Sequence, residues 1–192
     1  MPTCPKPTLP AAMKHSLYCH PAGPCAFVQT VEASARLAES GGLAVSYRLF
    51  GDPGNIRIPE PAPPAAADEL WRHTCLEAFI ATVDGLDYRE FNFSPSGQWA
   101  NYRFTGCRAR DFSFMPPATP RFTFRRFADG FQLDALLAPE LLPPSAIFDI
   151  GLSAVIEAGD GGKSYWALTH CAPQPDFHLR QSFSLTLQRP TP

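Results

Sequence analysis

Through most of its length the chain alternates apolar and polar residues with a period of two. In Phe27-Val28-Gln29-Thr30-Val31-Glu32-Ala33-Ser34-Ala35-Arg36-Leu37 most odd positions are apolar, and the even positions turn polar from Thr30 onward. That pattern puts one face of a β-strand in a core and the other in water. Leu43, Val45, Tyr47 and Leu49 continue it, with Ser46 and Arg48 opposite, and Ser40-Gly41-Gly42 supplies a tight hairpin between the two runs. Phe122 and Phe124, then Phe131, Leu133 and Ala135, alternate on either side of Asp129-Gly130, a strong short-range hairpin signal. Ile147 to Ala158 predicts a long strand with Phe148, Ile150, Leu152, Ala154 and Ile156 on one face and Asp149, Ser153 and Glu157 on the other. Asp160-Gly161-Gly162 turns the chain into a strand over Ser164 to Thr169, and Phe183, Leu185 and Leu187 mark a last one. Helical spacing is scarce: Ala65 to Leu70 and Pro139 to Leu142 have room for one or two turns each. About ten short strands separated by regular turns predict an all-β, antiparallel β-sandwich, jelly-roll or immunoglobulin-like.

Proline sharpens that segmentation. Its 22 residues cluster at 2–10, 59–64, 116–120, 139–144 and 173–175. Proline cannot donate to a sheet ladder, so each cluster marks a break between extended segments. With no internal repeat, the expected organisation is a loose proline-rich tail over residues 1–12 and one domain over 13–192. The 192 residues, 45% of them hydrophobic, suffice for a sizeable core. A net charge of -2 gives no electrostatic reason to expect nucleic acid or an anionic membrane as partner. The N-terminus has no apolar signal-like stretch and no apolar run approaches a membrane span, so the chain reads as cytoplasmic, its six cysteines reduced.

The richest chemistry lies between Asp68 and Arg103. On the strand Tyr88-Arg89-Glu90-Phe91-Asn92-Phe93-Ser94, the two phenylalanines share one face while Tyr88, Glu90, Asn92 and Ser94 share the other. Those four polar-tipped side chains suit either a solvated face or the floor of a binding cleft. Glu77 precedes them on the strand Cys75 to Phe79, where antiparallel pairing would bring it near Glu90. Other features carry less. His170, Asp176 and His178 offer metal-ligating groups but need a further ligand. Gly161-Gly162-Lys163-Ser164 looks like the end of a phosphate-binding loop, yet the motif needs glycine where Glu157 stands and a helix where Tyr165-Trp166-Ala167-Leu168 reads as a strand.

The order Trp71, Glu77, Tyr88-x-Glu90-Phe91-Asn92-Phe93-Ser94-Pro95 and Gly97, followed late by Ser164-Tyr165-Trp166-Ala167-Leu168 and Pro175-Asp176-Phe177-His178, resembles the DOMON-like superfamily, which includes the family-nine carbohydrate-binding modules. The resemblance covers the chain from about Met13 to its end. It implies a concave ligand site in which two tryptophans clamp a sugar, matched here by Trp71 and Trp166, with Arg72, Glu77, Glu90, Asn92 and Arg103 as candidates for the sugar hydroxyls. The expected function is therefore non-catalytic binding of a small ligand, a sugar, without cofactor or metal. The alternatives are a carbohydrate-active enzyme using Glu77 and Glu90 as a carboxylate pair, a protein-interaction domain, and a binder of haem or another apolar cofactor.

Overall fold

A computed structural model describes residues 13–189. The expected tail, residues 1–12, lies outside them. Eleven antiparallel strands follow one another: β1 (His15–Cys19), β2 (Val28–Leu37), β3 (Leu43–Gly51), β4 (Cys75–Thr82), β5 (Tyr88–Phe93), β6 (Trp99–Phe104), β7 (Arg121–Phe127), β8 (Gly130–Leu137), β9 (Ile147–Glu157), β10 (Lys163–Ala167) and β11 (Leu185–Gln188). They form one continuous sheet in the order β6-β5-β4-β9-β10-β1-β2-β3-β8-β7, with β11 also paired to β9. The all-β, antiparallel expectation holds.

The sheet curls over at β1. The first half of this short strand pairs with β2 through His15, Ser16 and Leu17, and its last two residues, Tyr18 and Cys19, pair with β10. The two halves so joined enclose a single core. Leu43, Val45, Tyr47 and Leu49 of β3 and Phe131 and Leu133 of β8 belong to the same apolar cluster as Leu76 and Ala78 of β4, Phe91 and Phe93 of β5, and Leu152 and Ala154 of β9. The buried Tyr47 hydroxyl crosses between the halves and donates to the main-chain carbonyl of Glu77 at 2.5 Å.

Turn chemistry sits where the sequence placed it. Gly41 lies in the β2–β3 hairpin at φ 80° and Gly130 closes the β7–β8 hairpin at φ 143°. A Cβ on Gly130 would meet the Leu49 carbonyl oxygen at 2.0 Å, so both space and backbone require glycine there. A bulge between Val28 and Thr30 shifts the register of β2 and turns Val28 inward alongside Val31. One helical expectation, Ala65 to Leu70, moves: 65–69 is extended or irregular, and a 3-10 turn falls at Leu70–Arg72 instead, shortly before β4. The other forms at Pro139–Leu141. Among the described residues no helix is long and apolar enough to cross a membrane.

Candidate functional site

Side chains alternate across a strand, and directly paired residues on neighbouring strands share a face. Pairing of Glu77 with Ser153 and Asn92, of Glu90 with Tyr102, and of Tyr165 with Val155 therefore places all of these on one face of the β6-β5-β4-β9-β10 half. Phe91, Phe93, Leu76, Ala154 and Trp166 occupy the opposite face, inside the core. The polar face points away from the core, yet most of it is covered. Segments preceding β4, following β6 and preceding β11 fold across it, and a cavity of about 740 Å³ remains beneath them. This volume lies in the range of small-ligand sites.

Glu77 and Glu90 form the cavity floor, 3% and 5% exposed. They stand on adjacent strands, Glu77 opposite Asn92 and Glu90 opposite Phe79, which makes them diagonal neighbours, with backbones roughly 7–8 Å apart. Asn92, fully buried behind them, donates to Glu90 Oε1 at 2.6 Å, and the Cys75 thiol donates to Asn92 Oδ1 at 3.7 Å. Ser153 donates to Glu77 Oε2 at 3.4 Å. Burial, reinforced by Glu90, pushes the Glu77 carboxyl well above the ordinary carboxylate range. Burial likewise raises Glu90 to about 7, against the opposing influence of Asn92, Arg108 and Arg110.

His178 reaches over the floor from the segment before β11. Its ring packs against Phe79, Tyr88 and Phe104, and its Nδ1 lies 2.8 Å from the Tyr88 hydroxyl. That hydroxyl also accepts from the Arg108 main-chain N–H, and the other ring nitrogen, Nε2, lies 3.8 Å from Glu90 Oε2. Burial holds the His178 pKa down at about 4, which keeps the ring neutral.

The walls combine rings and charge. Trp71, 48% exposed, stands at the mouth, and Tyr165, Phe177, Tyr102 and Phe104 line the sides. Arg108 and Arg110 also face the cavity, each held by a rim carboxylate: Arg108 pairs with Asp176 at 2.9 Å and Arg110 with Asp68 at 3.2 Å. Asp68 also accepts from the Tyr102 hydroxyl, and Arg110 lies 4.0 Å from the Tyr102 ring centroid. Two residues in the left-handed backbone region, Glu69 at φ 60° and Arg108 at φ 56°, both line this cavity, a location where backbone strain tends to collect.

Of the residues anticipated from sequence, Trp71, Glu77 and Glu90 meet at the cavity, and the other four do not line it. Trp166 is 6% exposed in the core, opposite Ala154, and its indole N–H donates to Ser164 at 2.9 Å. Its neighbour Tyr165 takes the outward position. Arg103 pairs with Arg89 on the far side of the sheet and reaches Asp87 and Asp111, while Tyr102 faces the cavity. Arg72 leans outward onto Glu69 at 2.7 Å. Asn92 supports Glu90 from behind. The suggested metal ligands do not converge: His178 is engaged by Tyr88, Asp176 by Arg108, and His170 Nε2 lies 2.8 Å from the Tyr18 carbonyl. Among the described residues no group of three or more such side chains is arranged to hold a metal ion. Tyr102, Arg108, Arg110, Tyr165, Phe177 and His178 also line the cavity, and none of them was among the ligand-binding candidates read from the sequence.

No protein-family model matches the sequence, nor does any curated protein. Solved structures do resemble it. A candidate carbohydrate-binding protein from Bacteroides uniformis is similar with a TM-score of 0.66 at 11% identity, over 93% of this chain and 87% of that one. A family-nine carbohydrate-binding module from Caldicellulosiruptor kristjanssonii in complex with cellotriose gives 0.57 at 9% identity, over 93% and 82%. The module from that organism with glucose gives 0.54 at 10%, over 92% and 84%. At such identities the likeness establishes the fold: this curled all-β chain has the architecture of carbohydrate-binding modules.

Proposed function

We propose that residues 13–192 act as one β-sandwich module that binds a sugar reversibly, without catalysis, in the cavity over Glu77 and Glu90. One observation carries the reading: the cavity joins an exposed ring, Trp71, and the half-buried rings Tyr165 and Phe177 to buried polar groups on its floor. A sugar presents apolar C–H faces that stack on rings and hydroxyls that need paired donors and acceptors. In this proposal Trp71 and Tyr165 are the stacking walls, and Glu77, Glu90, Tyr102, Arg108 and Arg110 meet the hydroxyls. The fold likeness to modules holding cellotriose and glucose supports the choice of a saccharide over other polar ligands.

A carbohydrate-active enzyme would use the same two carboxyls as acid and base, and needs environments that push their proton affinities apart. Burial raises both, with Glu90 adding to the rise at Glu77 while Asn92, Arg108 and Arg110 oppose it at Glu90, so hydrolysis stands as the second reading, and product release during saccharide titration separates it from binding. The test is calorimetric titration with a panel of mono- and disaccharides. Binding should appear with one saccharide class and weaken on the order of tenfold in Trp71→Ala, as loss of a stacking ring worth ~1.4 kcal/mol implies. Absence of heat and of thermal stabilisation with the whole panel would refute it.

A further inference from the structure

Three carboxylates are buried on the outward face of the sheet, and they are treated differently. Glu157 is 4% exposed and has two partners, Arg57 at 3.2 Å and His73 at 2.7 Å. Glu77 and Glu90 are equally buried and have no cation at hydrogen-bond distance among the described residues. Glu77 Oε1 and Glu90 Oε2 accept no hydrogen bond there, and both side chains face the cavity. Burying carboxylates without counter-charge is costly, a cost the free chain meets by keeping them protonated, and this leaves both open to a cationic partner.

The neighbouring charges do not supply it. Arg108 and Arg110 are committed to Asp176 and Asp68. His178 presents Nε2 to Glu90 at 3.8 Å and is neutral. Cys75, Asn92 and Ser153 behind the floor are uncharged donors, and the Tyr102 hydroxyl is turned to Asp68. What is missing is one compact cation with several N–H donors, set on a body polar enough for the walls. A primary ammonium carries three donors and no acceptor.

We infer that the ligand is an amino sugar whose free ammonium sits between Glu77 Oε1 and Glu90 Oε2. The inference rests on the sugar-binding reading and narrows its ligand class. Charge-assisted hydrogen bonds are roughly twice as strong as neutral ones, so amine and hydroxyl at that position should differ in affinity on the order of tenfold. The cation also draws the two carboxyls into their charged forms, and the protons they held in the free protein leave on binding.

The experiment is calorimetric titration of the full chain near neutral pH with glucosamine, glucose and N-acetylglucosamine, each in two buffers of different ionisation enthalpy. The expected result is glucosamine bound on the order of tenfold more tightly than glucose, with buffer-dependent heat marking proton release for glucosamine only. In Glu77→Gln and Glu90→Gln the ratio of the two affinities should fall to about one. Should either variant fail to fold, the buffer-dependent heat on the unaltered chain still decides. Glucose or N-acetylglucosamine bound as tightly as glucosamine, or glucosamine bound without proton release, overturns this inference and leaves sugar binding standing. Binding of none of the three overturns this inference, and silence across the whole saccharide panel overturns the sugar-binding reading as well.

Discussion

Adjacent residues on β10 should respond to truncation in opposite ways. Trp166 faces the core at 6% exposure against Ala154, and Tyr165 faces the cavity beside Phe177, with ring centroids 6.2 Å apart. Replacing Trp166 with alanine deletes a buried indole and leaves a cavity, at a cost of ~3–5 kcal/mol. At ~2–4 °C per kcal/mol for a chain of this size, the melting temperature should fall by roughly 6–20 °C. Tyr165→Ala removes a half-buried ring at the cavity wall, where side-chain loss is cheap. Its melting temperature should fall by less than ~5 °C, while affinity for the bound saccharide drops on the order of tenfold. Thermal unfolding followed by circular dichroism and calorimetric titration of both variants provide the readouts. A Trp166→Ala protein that melts like the parent yet no longer binds would refute the facing assigned to β10 and with it the cavity's walls.

Other perturbations test separate parts of the structure. Tyr47→Phe removes a buried side-chain hydrogen bond that links the two halves at the Glu77 carbonyl, and should cost ~1 kcal/mol, about 2–4 °C in melting temperature; an unchanged melt would show the bond to be dispensable. Gly151→Ala brings a Cβ to 2.9 Å from the Phe183 ring, which packs on Phe79 and Tyr88, so it should lower stability by ~1–3 kcal/mol and weaken ligand binding together, both read from one denaturation and titration series. The third test is pH. Glu90, raised from 4.5 to about 7, keeps its proton in the folded chain where the unfolded chain has lost it, so its contribution to stability falls as pH rises between those values. His178, lowered from 6.5 to about 4, acts in the opposite sense over an overlapping range. Glu90→Gln removes the first effect and, with the Glu90 charge gone, also lessens the rise at Glu77, so its stability relative to the parent should climb as pH rises from about 4.5 to about 7, a trend that urea titrations at several pH values would reveal or exclude.

How far the sequence reached is clearest on individual strands. Alternation on β5 separated Phe91 and Phe93 from Glu90 and Asn92, and the same alternation on β9 separated Ala154 from Ser153, because a buried face and a chemically used face both leave a period-two record. That sufficed for the all-β fold and for Glu77 beside Glu90. It failed on β10 and β6, where Tyr165-Trp166 and Tyr102-Arg103 place two plausible ligand groups side by side. There only the pairing register decides which one turns outward, and register comes from the lengths of the loops at Gly97 and Gly161-Gly162 rather than from residue type. Arg108 escaped notice, and Phe177 and His178 were marked only by the family resemblance and as metal-ligating groups, for a different reason: they lie on irregular segments that fold over the sheet and carry no periodicity.

The chain's three tryptophans make the central claim measurable directly. In a nitrogen-15 NMR titration with glucosamine and with glucose, each indole N–H gives its own signal. The account predicts that the Trp71 signal moves with saturation while those of Trp166, bonded to Ser164 in the core, and Trp99 stay in place. Movement of the Trp166 signal with Trp71 unaffected, or no movement of any of the three, would contradict a saccharide site on the outward face of this sheet.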